Sequence, residues 1–167
     1  MEVHVRQATE ADLEVLAALV ARGNATYREW AGASWRAPRI DHERLRWRQQ
    51  FDDPAAWNPV AVASGDCLGC VSFTDARAEE GRGKAIPGVA HLSRMFVDPQ
   101  NWGCGIRSLL LLRAVQEMRE RGFRQAQLFT PEKNIRSRRF YERHGWCAGD
   151  EIRRWQGLPL IRYCLDL

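Results

Sequence analysis

An apolar strand that meets a proline, passes two closely spaced glycines and enters a helix has few ways to fold. Residues 91–110 have that form: His91-Leu92-Ser93-Arg94-Met95-Phe96-Val97-Asp98-Pro99-Gln100-Asn101-Trp102-Gly103-Cys104-Gly105-Ile106-Arg107-Ser108-Leu109-Leu110. Pro99 lacks the N–H that a sheet ladder uses, so the strand ends there. Gly103 and Gly105 carry no Cβ, which lets the loop curl tightly and a ligand touch its backbone. Ile106, Leu111, Leu112, Val115 and Met118 supply the apolar positions of the following helix. Its first N–H groups are unpaired and lie at the positive end of its dipole. Strand, glycine loop and helix N-terminus in this order make a seat for phosphate, so an anionic ligand is expected.

Three phosphate-binding patterns can be set against this loop. A P-loop requires Gly-x-x-x-x-Gly-Lys-Ser/Thr, and no lysine stands at the required place. A dinucleotide fingerprint requires a third glycine, where Ser108 stands. It also requires an acid near the end of the next strand, where Glu132 follows Thr130-Pro131 too late. The pattern Gln/Arg-x-x-Gly-x-Gly/Ala is met by Gln100, Gly103 and Gly105. It resembles the acetyl-CoA loop of the GNAT superfamily of N-acetyltransferases. Downstream, Asn134, Ser137, Phe140, Tyr141, Gly145 and Trp146 are similar to that family's later motif, Asn-x-x-Ala/Ser-x-x-Phe-Tyr-x-x-x-Gly-Phe, with Trp for the last aromatic residue. The two motifs stand in the family's order and span residues 89–146.

The resemblance implies an α/β fold with a mixed sheet flanked by helices. Two central parallel strands splay apart and the cosubstrate lies in the gap. It implies acetyl-CoA as donor, its pyrophosphate held by Gln100, Asn101, Trp102, Gly103, Cys104, Gly105, Ile106, Arg107 and Ser108. The backbone of Met95, Phe96 and Val97 would pair with pantetheine, and an N–H near Met95 or Phe96 would polarise the thioester carbonyl. Asn134 caps its helix and, with Ser137, borders the same arm. Tyr141 would face the sulfur and protonate the thiolate. Arg107 replaces the family's usual small residue, and either clasping a phosphate or pointing to water suits it. Where the family commonly has a glutamate early in the central strand, this chain has His91. As base, His91 would give an activity that rises with pH through about 6.5, lowered by burial or raised by an acidic neighbour.

The 167 residues suit one domain, 1–167, with elements in the order β-α-α-β-β-β-α-β-α-β-β. Strands are expected over 3–7, 60–63, 67–74, 89–97, 125–130, 151–155 and 160–165. Helices are expected to start behind the Thr9–Asp12 capping signal and to cover 41–51, 106–121 and 134–143. Residues 75–88 read as a polar loop. The stretch 24–58 is the candidate acceptor-binding region, with Tyr27, Trp30 and Trp35 as wall residues; Trp47 and Trp57 suit a wall or the core.

Residues 1–90 carry 11 Lys and Arg against 13 Asp and Glu, and residues 91–167 carry 14 against 8. The excess of positive charge thus falls in the half that holds the phosphate loop. Arg136, Arg138, Arg139 and Arg143 read as a solvated helix face rather than a nucleic-acid surface. No apolar run reaches the roughly 18 residues of a membrane span, and the beginning of the chain lacks the pattern of a secretory leader. A cytoplasmic protein with no membrane partner is expected, as monomer or homodimer. The five cysteines read as reduced thiols, and Cys67-Leu-Gly-Cys70 lacks the second ligand pair of a zinc site, so no metal is expected. The expected activity is direct acetyl transfer to a primary amine on a small molecule or peptide. The alternative is a non-catalytic acyl-CoA-binding or regulatory module, which the missing glutamate at His91 suggests.

Overall fold

Alternating apolar and polar residues become seven strands of one sheet, ordered β1-β2-β3-β4-β5-β7-β6. The computed structural model describes residues 2–167. The strands are β1 (His4–Gln7), β2 (Pro59–Ala63), β3 (Asp66–Arg77), β4 (Ala85–Val97), β5 (Gln125–Pro131), β6 (Cys147–Trp155) and β7 (Leu158–Asp166). Helices α1 (Leu13–Ala25), a single-turn α2 (Arg28–Ala31) and α3 (Ile40–Asp52) precede β2. A further single turn, α4 (Ala78–Gly81), joins β3 to β4. Helix α5 (Ile106–Glu120) links β4 to β5, and α6 (Ile135–Arg143) links β5 to β6. None of the described helices is long and apolar enough to cross a membrane.

Neighbouring strands are antiparallel except β4 and β5, which the α5 crossover makes parallel. That pairing covers only residues 89–92 against 125–128. Beyond it, residues 93–97 of β4 and 129–131 of β5 diverge, and the strands splay as the resemblance implies.

Each face of the sheet has its own core. Ile106, Leu110, Leu111, Ala114 and Met118 of α5 pack with Val71, Phe73, Leu92 and Leu128 on one face. Leu16, Leu19 and Val20 of α1 pack with Trp47, Val60 and Cys70 on the other. Burial of each large side chain is worth about 1.5–3 kcal/mol, whereas an exposed pair such as Arg44–Glu14 adds about 0–1 kcal/mol. Trp47 and Trp57 are therefore core residues. Cys70 is as well: burial pushes its thiol up to about 12, so it is chemically quiet.

Residue 93 disturbs the alternation of β4. Ser72 pairs with Arg94 but Phe73 with Leu92, leaving Ser93 as an inserted bulge residue. Ala90 and Leu92 before the bulge, and Met95 and Val97 after it, pack on the α5 side. Phe96 packs on the α1 side, where Arg94 lies over Trp47 at 4.7 Å. The bulge therefore resets which residues of β4 face which side.

Two expectations need correction. Residues 75–77 and 85–88 are strand, because Asp75 pairs with Ala90 and Arg77 with Ala85, which satisfies backbone groups without an apolar pattern. Leu112 is 60 % exposed, and Leu110 fills the α5 core in its place.

Candidate active site

The phosphate seat is formed by backbone. Asp98 caps the turn after β4, accepting the Gln100 N–H at 3.0 Å, and its other oxygen holds Arg22 of α1 at 2.6 Å. Gly103 and Gly105 adopt φ of 85° and 78°, a left-handed region that side chains with a Cβ resist. Leu109 N–H bonds to Gly105 O at 3.0 Å. The amides of Ile106, Arg107 and Ser108 ahead of it have no intrahelical partner. Asn134 caps α6 as expected, its side-chain oxygen accepting Ser137 N–H at 3.1 Å.

A cavity of about 390 Å³ opens against these amides. Its walls include Met95, Phe96, Val97, Asn101, Trp102, Gly103, Gly105, Ile106, Arg107, Ser108, Asn134 and Ser137, with Tyr27 and Trp30 on the α1–α2 side. Gln100 and Cys104 are exposed and stand outside the walls. Arg107 does not reach for water. Its guanidinium donates to Ser137 Oγ at 3.1 Å and covers the rings of Phe140 at 4.1 Å and Tyr141 at 5.1 Å. Arg136 stacks on Trp102 at 3.9 Å, and with Arg143 it borders the cavity. Half of the arginine face read as solvated therefore belongs to this cleft.

Tyr141 is 4 % exposed and packs against Trp146 and Tyr163. Its neighbour Phe140, not Tyr141, forms the cavity wall. Burial, and secondarily Tyr141, pushes the phenol of Tyr27 up to about 12, so the two phenols are electrostatic neighbours. The Tyr163 hydroxyl accepts from Arg138 and donates to Glu142, whereas no described residue hydrogen-bonds the hydroxyl of Tyr141.

A second cavity, of about 360 Å³, lies beyond Tyr27 and Phe96, which line both. His91 lines it, with Nδ1 buried and without a partner. Burial, and secondarily Arg153, pulls His91 from 6.5 down to about 4, so the imidazole is neutral at pH 7. Of the two shifts the sequence leaves open, lowering by burial is the one found here, and no acidic neighbour among the described residues raises it. The unfolded chain takes up this proton near 6.5 and the folded chain only near 4. Stability is therefore complete above the upper value and falls as pH drops between the two, by about 2 kcal/mol at pH 4.5. Denaturant titrations of His91→Gln should show an acid loss smaller by that amount. An equal acid loss in both proteins would contradict the shift.

The profile of the Acetyltransferase (GNAT) family matches residues 24–146. The chain belongs to this family. No curated protein matches its sequence. Among solved structures, the PaiA N-acetyltransferase of Thermoplasma acidophilum in complex with coenzyme A is 18 % identical. It superposes with a TM-score of 0.72 over 97 % of this chain and 98 % of that one. An N-acetyltransferase from Staphylococcus aureus is 22 % identical, with a TM-score of 0.71 over 99 % of each chain. The ribosomal-protein-S18-alanine N-acetyltransferase of Escherichia coli is 18 % identical, with a TM-score of 0.71 over 99 % and 94 %.

In a GNAT acetyltransferase with two cavities, side chains between them matter most, and the sequence did not reveal all of them. Trp35 lines neither cavity: it is 6 % exposed, donates to Asn24 O at 3.1 Å and packs between Tyr27 and Trp155. It braces the wall instead of forming it. Arg46, Arg94, Arg153, Arg154 and Trp155 line the second cavity unannounced, and Glu80 lines it from a turn with φ of 55°.

Proposed function

We propose that this protein moves an acetyl group from acetyl-CoA to an amine by direct attack in a ternary complex. The observation that carries the reading is that the two cavities share Tyr27 and Phe96, one bordered by phosphate-binding amides and the other by a neutral His91. The loop amides and the guanidinium groups of Arg107 and Arg136 suit the diphosphate of coenzyme A. The β4 edge left free by the splay offers alternate N–H and C=O groups to the pantetheine amides.

The amine nitrogen attacks the thioester carbon, forming C–N as C–S breaks. Amides of the bulged segment of β4 stabilise the oxyanion. The attacking nitrogen becomes acidic as its lone pair enters the new bond, so a weak base suffices, and His91 takes that proton directly or through water. Tyr141 gives its phenolic proton to the departing sulfur, which requires Arg107 to withdraw from above the ring toward the phosphates. The solved neighbours bearing N-acetyltransferase names support nitrogen as the acceptor atom.

Mixed with acetyl-CoA, the protein should release free thiol only when an amine is present, with one acetyl group gained per amine. Tight acetyl-CoA binding with no release across small amines and peptides would favour the non-catalytic module.

A further inference from the structure

The second cavity carries more positive charge than an amine acceptor alone would call for. Of its four arginines, two are occupied by carboxylates: Arg46 lies 3.9 Å from the wholly buried Glu43, and Arg153 lies 2.9 Å from Glu151, which also holds Arg162. Among the described residues, Arg94 and Arg154 have no carboxylate within ion-pair distance. Arg154 is exposed at the mouth and donates only to Gly157 O at 3.4 Å.

Arg94 is the more telling. It is 5 % exposed, and its NH1 donates to Gln50 Oε1 at 3.0 Å, but its Nε has no partner. Buried guanidinium groups are ordinarily paired with an acid, because desolvating a lone cation is costly. Burial, and then the nearby Arg46, pulls Arg94 from 12.5 down to about 10, against smaller opposing pulls from Cys70 and from Glu43, which lies beyond ion-pair distance, so it remains a cation at neutral pH. The bulge at Ser93 is what places it here, three residues from His91 and facing the same cavity. Glu80 is the one acid among the described wall residues, exposed and 3.9 Å from the likewise exposed Arg82, a pairing that an incoming ammonium group can displace. The cavity thus presents two guanidinium groups without an acid partner and one carboxylate, with Phe129 and Trp155 also on its wall. An arginine fork matches planar or tetrahedral anionic oxygens.

We propose that the acceptor is a small amine that also carries an anionic oxygen group, seated on Arg94 with Arg154 at the entrance and Glu80 drawing in the ammonium end. This rests on the acetyl-transfer reading above and narrows its substrate class. Carboxylate and phosphonate share the chemistry, and a volume of about 360 Å³ suits a molecule of amino-acid size.

The test is acetyl-CoA-dependent thiol release with the common amino acids, the same amino acids as amides, aminoalkylphosphonates, spermidine and kanamycin. The preferred acceptor should be an acid or a phosphonate, with kcat/KM at least tenfold above that of its uncharged counterpart. Arg94→Gln should raise its KM tenfold or more and remove the preference over the amide. Arg154→Gln, a surface change that leaves the core untouched, should raise KM severalfold with kcat kept. Amides, spermidine or kanamycin used as well as the acids, an unchanged KM in the Arg154 variant, or no turnover of any anion-bearing amine would each overturn the proposal. Calorimetric titration of acetyl-CoA into the same preparations separates the two readings. Binding with transfer to uncharged amines removes only the anion site, whereas absence of binding removes the acetyl-transfer reading with it.

Discussion

Gly103→Val should weaken acetyl-CoA binding by roughly 100-fold while leaving the protein folded. Gly103 holds φ of 85°, and a Cβ built there meets nothing within 4 Å, so the new side chain finds space. The cost is backbone strain: a β-branched residue at positive φ costs on the order of 1–3 kcal/mol, which the loop relieves by leaving that conformation. The amides of Gly105, Ile106 and Arg107 then turn away from the phosphate position, and an isopropyl group occupies the approach. Gly122, at the end of α5, has φ of 82° and is equally uncrowded. Gly122→Val should therefore lower the melting temperature comparably and change the dissociation constant less than twofold. Calorimetry on both variants checks this. Unchanged affinity in Gly103→Val would place the phosphate seat elsewhere.

Tyr141→Phe should lower kcat by roughly 10²-fold and change the acetyl-CoA dissociation constant little, the scale of losing a positioned general acid. The substitution keeps the ring against Trp146 and Tyr163, so packing survives. It removes one hydroxyl that no described residue engages by a hydrogen bond. An unmade hydrogen bond contributes nothing to stability, so chemical denaturation should give a stability within about 0.5 kcal/mol of the parent. Turnover intact from pH 7 to 9 would show that Tyr141 only packs and that the thiolate leaves unassisted.

Local chemistry was legible in the sequence and sidedness was not. The strand end at Pro99, the left-handed Gly103 and Gly105 and the Asn134 cap depend on residues adjacent in the chain, and the fold keeps them where the spacing predicted. The parallel crossover and the splay came with the motifs. Arg94 was hidden because a one-residue bulge at Ser93 reverses the phase of β4, and the break in alternation does not say which face each residue after it takes. Trp35 was misassigned for a related reason: an aromatic cluster announces burial but not which surface it braces. The strands over 75–77 and 85–88 were missed because hairpin extensions paired through backbone need no apolar residues. His91 was found by its position, but its shift down to about 4 comes first from burial and then from Arg153, some sixty residues away in the chain, and both are set only by the fold.

Under the proposed mechanism donor and acceptor meet across the wall shared by the two cavities, with no acetylated protein between. Initial velocities of thiol release, with acetyl-CoA and the preferred amine both varied, test it most directly. Double-reciprocal lines that intersect are expected, with no mass gain on the protein when it is held with acetyl-CoA alone. Parallel lines with one acetyl group retained on the chain would contradict it.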